Sequence, residues 1–219
     1  MQRTSITLPL LLITVSALSL SAVESPRPSS NSHTFESSYA ASHSYSPQET
    51  GGEITKANRQ QHPKIKAIRS IVQAVKTGMT GKSLTTKKRS FEYCEPYEDT
   101  VRLIATDSQS RARFYQTEGG SEDSSLKFEH YYDERGRLRF VFITGGAVNG
   151  SHMEHRIYFD ETGKRIWEEQ ALKKGPGYTW PEVWPDDQLQ INDPAAKFIS
   201  QSSCPEIKPG AGKRKPSGK

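Results

Sequence analysis

The side chains of this sequence best suited to chemistry are its histidines, above all His152-Met153-Glu154-His155, with His130 upstream. Imidazole ligates metals and moves protons near neutral pH. The spacing argues against one shared ion. The flanking residues alternate as a strand does, and three is an odd offset, so His152 and His155 point to opposite faces. Nor is the phrase the helical His-Glu-x-x-His of a zinc protease, which sets both rings on one helix face. Pairing of His130 with His155 across adjacent strands is the route by which the chain could be a small secreted hydrolase or metal-dependent enzyme. The simpler expectation is a histidine at the edge of an aromatic core. No nucleophile with its base, carboxylate pair or phosphate loop stands out. Catalysis is therefore the second reading rather than the first, and no cofactor is expected.

A second constellation suits binding. The stretch KKGPGYTWPEVWPDDQ, residues 173 to 188, places Tyr178, Trp180 and Trp184 where prolines prevent regular structure. Aromatic rings on a loop stiffened by Pro181 and Pro185 can stack a sugar, a base or a peptide. The same rings can fold back as a lid over one end of a sheet. The lid is favoured, because two tryptophans left in water are costly. The glycines of ITGGAVNGSH lack the strand-to-helix setting of a phosphate cradle. They read as a link between hairpins, turned at Asn149-Gly150. Asn149-Gly150-Ser151 is also a glycosylation sequon, of use in a eukaryotic host.

Two cysteines, Cys94 and Cys204, are far apart and lack the paired spacing of a zinc site. In an exported chain they are expected to form one disulfide. Export is what the opening suggests. MQRTSITLPLLLITVSALSLSAVES has one arginine, an uncharged apolar run, and small residues after it, which reads as a signal peptide over residues 1–22. The run is short for a membrane span. The expected location is secreted or periplasmic, with no transmembrane segment in the mature chain.

The elements that must hold these groups lie between polar ends. Residues 23–61 are Ser-rich and read as a disordered tether; residues 207–219 read as a disordered basic tail. The domain is expected over 62–206. The net charge of +5 is unevenly spread. Residues 54–91 carry ten Lys/Arg and no Asp/Glu, residues 92–206 carry thirteen against twenty-one, and residues 207–219 add five positive charges. The basic segments either lie on the acidic body or contact an anionic surface. In the second case the chain is a polyanion binder through Lys82 to Arg89 and the tail. The first is favoured, since opposite charges in one chain need no partner to meet.

Ile65, Ile68, Val72 and Val75 recur at helical spacing within residues 62–78, with Pro63 suited to the first turn and Gly78 to the stop. The segment TGKSLTTKKRS then reads as a loop. From about residue 90 the period becomes two. Candidate strands are SFEYC, VRLIAT, RARFYQT, SLKFEHYY, RLRFVFIT, HMEHRIYF and RIWEEQAL. Their short connections predict an antiparallel meander of about six strands. A helix, AAKFISQSS, is expected to return Cys204 towards Cys94.

One phrase occurs twice: YYDERGRLRF at 131–140 and YFDETGKRIW at 158–167. Asp133 and Asp160 sit where a type I turn favours Asp, and Gly136 and Gly163 sit at the left-handed position that follows. Both copies read as hairpins. Counting back from the first turn pairs Tyr132 with Leu138, His130 with Phe140 and Phe128 with Phe142. The second copy pairs Ile157 with Trp167 and Arg156 with Glu168. The phrase resembles the Tyr-Asp hairpin units of bacterial extracellular repeat proteins, over about ten residues per copy. The expectation is an α+β fold, an N-terminal amphipathic helix on an antiparallel meander, clipped by one disulfide. Its expected role is a non-catalytic binding or structural module of the cell envelope or secretome, with an unidentified extracellular ligand.

Overall fold

The computed structural model describes residues 52–95, 98–181 and 184–208. The signal peptide, most of the Ser-rich tether and the tail from 209 lie outside them.

Seven strands form one antiparallel sheet in chain order: β1 (Thr85–Ser90), β2 (Asp99–Thr106), β3 (Ala112–Gly120), β4 (Ser124–Tyr132), β5 (Leu138–Ala147), β6 (His152–Phe159) and β7 (Arg165–Lys174). The meander is as expected, with one strand more. Its first strand is not SFEYC. Beyond Ser90 that stretch forms no ladder, only an isolated Phe91–Glu206 bridge, while TTKKRS, expected as a loop, pairs with β2 from Thr85–Thr106 to Ser90–Val101. β1 is an edge strand, and its first four residues are exposed. It has no buried face to impose alternation, and Lys87 and Lys88 keep the edge from recruiting another chain.

Helix α1 (Pro63–Thr80) lies on one face. His62 caps it, its Nδ1 accepting from the Lys64 amide at 3.3 Å. Ile65, Ile68 and Val75 are buried against Phe114, Tyr131, Phe140 and Tyr158. Gly78 is not the stop. It lies inside the helix, where an added Cβ would stand 2.9 Å from Cγ of Leu84. Residues 52–61, expected as the end of the tether, instead make turns on this face. Ile54 joins the core, and Arg59 pairs with Glu169 at 2.9 Å.

The other face carries Val141, Ile143, Met153, Ile157 and Phe159 near one end, and Ile104, Tyr115 and Tyr132 near the other. The C-terminal strap covers them with Trp180, Trp184, Leu189 and Phe198, through α2 (Asp186–Leu189) and α3 (Pro194–Ile199). The Cys94–Cys204 disulfide closes after it, 110 residues apart in sequence.

Both copies of the repeated phrase are tight hairpin turns. Gly136 and Gly163 have φ of 76° and 85°, the left-handed values that spare a glycine any Cβ clash. The Asp133 carboxylate accepts from the amides of Arg135 and Arg137, and Asp160 does the same for Thr162 and Lys164. The register beyond each turn differs from a simple count. After Tyr132–Leu138 comes Tyr131–Phe140, and after Phe159–Arg165 comes Tyr158–Trp167. Arg139 and Ile166 are thus bulged out of the ladder. His130 therefore faces Val141, Phe128 faces Ile143, Ile157 faces Glu168 and Arg156 faces Glu169.

The bulge exposes a third copy. Asp107 accepts from the amides of Gln109 and Arg111, Ser110 takes the left-handed position at φ 61°, and Arg113 is bulged between Thr106–Ala112 and Ala105–Phe114. Each bulge arginine then reaches the next hairpin. Arg113 Nε donates to the Tyr132 carbonyl at 3.3 Å, and Arg139 Nε to the Phe159 carbonyl at 3.2 Å. Tyr132 and Phe159 each directly precede a turn aspartate. The sheet is one hairpin device used three times and stitched by arginines.

Candidate functional site

The sheet alternation places Met153, His155 and Ile157 under the strap and turns His152 away, so the two histidines of the His-Met-Glu-His phrase do face oppositely. His130 and His155 share a face but sit on β4 and β6, with β5 between them. Two strand spacings are about 10 Å. The expected pairing across adjacent strands is therefore not made. Among the described residues no three His, Cys, Asp or Glu side chains converge as metal ligands.

Each buried histidine has its own surroundings. His155 Nδ1 accepts a hydrogen bond from Trp184 Nε1 at 3.1 Å, and its Nε2 stands 3.7 Å from Glu168. Burial lowers its pKa against the upward pull of Glu168. The neutral ring that results is the one able to accept from an indole. His130 is fully buried beside Tyr115 and Phe128. Among the described residues neither ring nitrogen makes a hydrogen bond of good geometry. Burial, against a smaller upward pull from the Gln188 and Tyr115 backbones, pushes its pKa down to about 4. The Tyr115 hydroxyl and Trp180 Nε1 are likewise buried without a hydrogen-bond partner among the described residues. A protein interior seldom leaves such groups dry.

The aromatic loop is a lid. Trp184 is 3% exposed and Trp180 8%. Neither indole stands open as a stacking platform while the strap is down, though Trp184 contributes to the groove beneath it. The Trp180 ring rests on Gly145, where an added Cβ would lie 2.9 Å from two indole carbons. Tyr178 stays half-buried against Trp180, its hydroxyl donating to Asp123 at 2.9 Å. The glycines of residues 143–152 are used here: Gly145 admits the indole, and Gly150 turns the chain at φ 82°. Further along, the Tyr132 hydroxyl donates to the Ile191 carbonyl at 3.1 Å. Arg102 and Arg89 both donate to the Ser200 carbonyl at the end of α3.

Between these attachments the strap stands off the sheet. The groove beneath it encloses about 1100 Å³. Leu126 and Phe128 of β4 and Thr117 of β3 make its floor, and Trp184, Pro185 and Ile191 one wall. Among the described residues Asp99, Asp187, Asp193 and Lys197 line it, with Asp99 paired to Arg102 at 3.4 Å. Burial raises the Asp99 pKa against the pull of Arg102 and Lys197. The groove is apolar inside and acidic at its edges. That suits an apolar body carrying a positive charge.

Of the residues expected to bind, only Trp184 lines this groove. Asp99, Thr117, Leu126, Phe128 and Ile191 come from three strands and the strap, and no linear pattern unites them. The basic segment is partly used up within the chain. Arg89 pairs with Glu206 at 2.8 Å and Arg59 with Glu169, while Lys82, Lys87 and Lys88 stay exposed. Comparison with known proteins finds no family model, no curated protein and no solved structure that matches the chain.

Proposed function

We infer that the protein is an exported α+β binding module, secreted or periplasmic, whose groove under the C-terminal strap takes a short peptide segment bearing a basic side chain. One observation carries this reading: a groove of about 1100 Å³ with an apolar floor where, among the described lining residues, Asp187 and Asp193 stand against Lys197 and Asp99 is paired with Arg102. Its size is at the top of the range for small-ligand clefts, and a floor of this kind left open is unusual without an occupant. Apolar side chains of the ligand would cover Leu126 and Phe128, and its cation would meet Asp187 at the rim.

Export is supported by the apolar opening and by the disulfide, which persists in oxidising compartments. Among the described residues no helix is long and apolar enough to cross a membrane. A non-catalytic role fits the separation of His130 from His155 and the use of Asp133 and Asp160 in turns.

The test is a random-peptide display panned against the purified chain, with Asp187→Lys as the counter-screen. Asp187 is exposed and makes no structural bond among those described. Recovered peptides should pair a Lys or Arg with apolar residues and bind the variant at least about tenfold more weakly, the loss of one charge-assisted contact. Peptides insensitive to the variant would place binding elsewhere.

A further inference from the structure

The geometry points to a second ligand site, on the opposite face of the sheet: a cleft beside α1 that takes an anion carried on an aromatic ring. Helix α1 covers only part of that face. Beside it lies a depression of about 300 Å³, floored by Phe140, Phe142 and Tyr158 and flanked by Arg69, Lys76 and Arg156. It runs on into a second depression of about 350 Å³, which shares Arg69, Arg156 and Tyr158.

Three features fit this ligand class. The floor is aromatic, with Phe142 its partly exposed ring and the buried Phe140 stacked beside it, 12° from parallel. The cations are already placed against aromatic faces, Arg156 4.8 Å from the Phe142 centroid and Lys76 5.8 Å from that of Tyr131. Arg69 is steadied by Gln60, whose side-chain oxygen accepts from Nη1 at 3.0 Å.

Charge separates this cleft from the groove under the strap. Among the described residues no carboxylate lines the first depression, and the Glu169 of the second is held by two bonds from Arg59, at 2.9 and 3.0 Å. Glu154 occupies one edge of Arg156 at 2.8 Å. Among the described residues neither Arg69 nor Lys76 forms an ion pair. Both project from the exposed side of α1. Two free cations over an aromatic floor attract an acidic group whose carrier can stack. The volume accommodates one ring system and one acidic group, at the small end of ligand clefts.

The test titrates the full chain with 2-naphthyl phosphate and follows backbone amide resonances. Inorganic phosphate and 2-naphthol serve as the two halves. Shifts are expected at Arg69, Lys76, Phe142 and Arg156, and Arg69→Gln and Lys76→Gln should each weaken binding about tenfold. Because both side chains are exposed, these variants should keep the wild-type spectrum outside the cleft. Naphthyl phosphate should bind more tightly than either half. No shifts, shifts confined to the strap face, binding indifferent to both variants, or phosphate alone binding as well would each overturn the proposal.

Discussion

The Trp184 indole donates to Nδ1 of His155 at 3.1 Å, and both side chains are nearly closed off from water. This bond fastens the strap above the groove to β6, the strand next to the β7 edge of the sheet. It requires a neutral imidazole, because a protonated ring has a hydrogen on Nδ1 and cannot accept.

Acid should therefore loosen the strap. His130 and His155 have lowered pKa values in the folded protein, so the unfolded chain binds more protons. Their contribution to stability is complete above about pH 6.5, the ordinary value. It falls as pH drops below that, and for His130 goes on falling to about pH 4. The His130 share of the loss is on the order of 3 kcal/mol at the acid limit. His155→Asn keeps an acceptor where Nδ1 stands and does not titrate. Urea midpoints between pH 7 and 5 should move less in this variant than in the wild type; an equal shift would clear His155 of the effect.

Trp184→Ala should destabilise the domain by about 3–5 kcal/mol, the usual result of emptying a buried aromatic site. Trp184→Phe keeps most of the packing and loses the bond to His155, for about 1 kcal/mol. Chemical denaturation measures both. A Trp184→Ala variant as stable as the wild type would mean that the ring is not part of the core.

Gly145→Val should act through Trp180, because any side chain there meets the indole. Overpacking of this kind costs about 1–3 kcal/mol. The intrinsic fluorescence should also shift to the red as the ring is displaced. Unchanged emission together with unchanged stability would remove the lid contact from the account.

Ser110→Gly should stabilise the protein by about 1 kcal/mol. Ser110 holds φ at 61°, where its two counterparts are glycines. Reduction of Cys94–Cys204, or its replacement by serines, should act the other way, by about 4–5 kcal/mol for a loop of this length. Thermal melts of the two variants should move in opposite directions.

How far the fold is legible in the sequence depends on what each element must bury. The meander, the amphipathic helix and two hairpins are legible because period, turn chemistry and φ-demanding glycines coincide. The third hairpin is hidden because Ser110 stands in place of the signalling glycine. The register slip is hidden too, since the bulged position has no fixed side-chain type: it is arginine at Arg113 and Arg139 but isoleucine at Ile166. β1 escapes because an edge strand with neither face buried owes nothing to alternation. The tryptophan strap is legible as a lid, but the groove beneath it depends on where the strap fails to touch the sheet. Only tertiary placement sets that gap.

The most direct trial of the groove is a photocrosslink. A crosslinking residue put in place of Gln188, on the exposed rim, is challenged with the tightest basic peptide from the display. The account predicts a covalent adduct that is lost when Asp187→Lys is added and unaffected by Lys76→Gln. An adduct indifferent to Asp187, or none from a peptide that still binds, would contradict it.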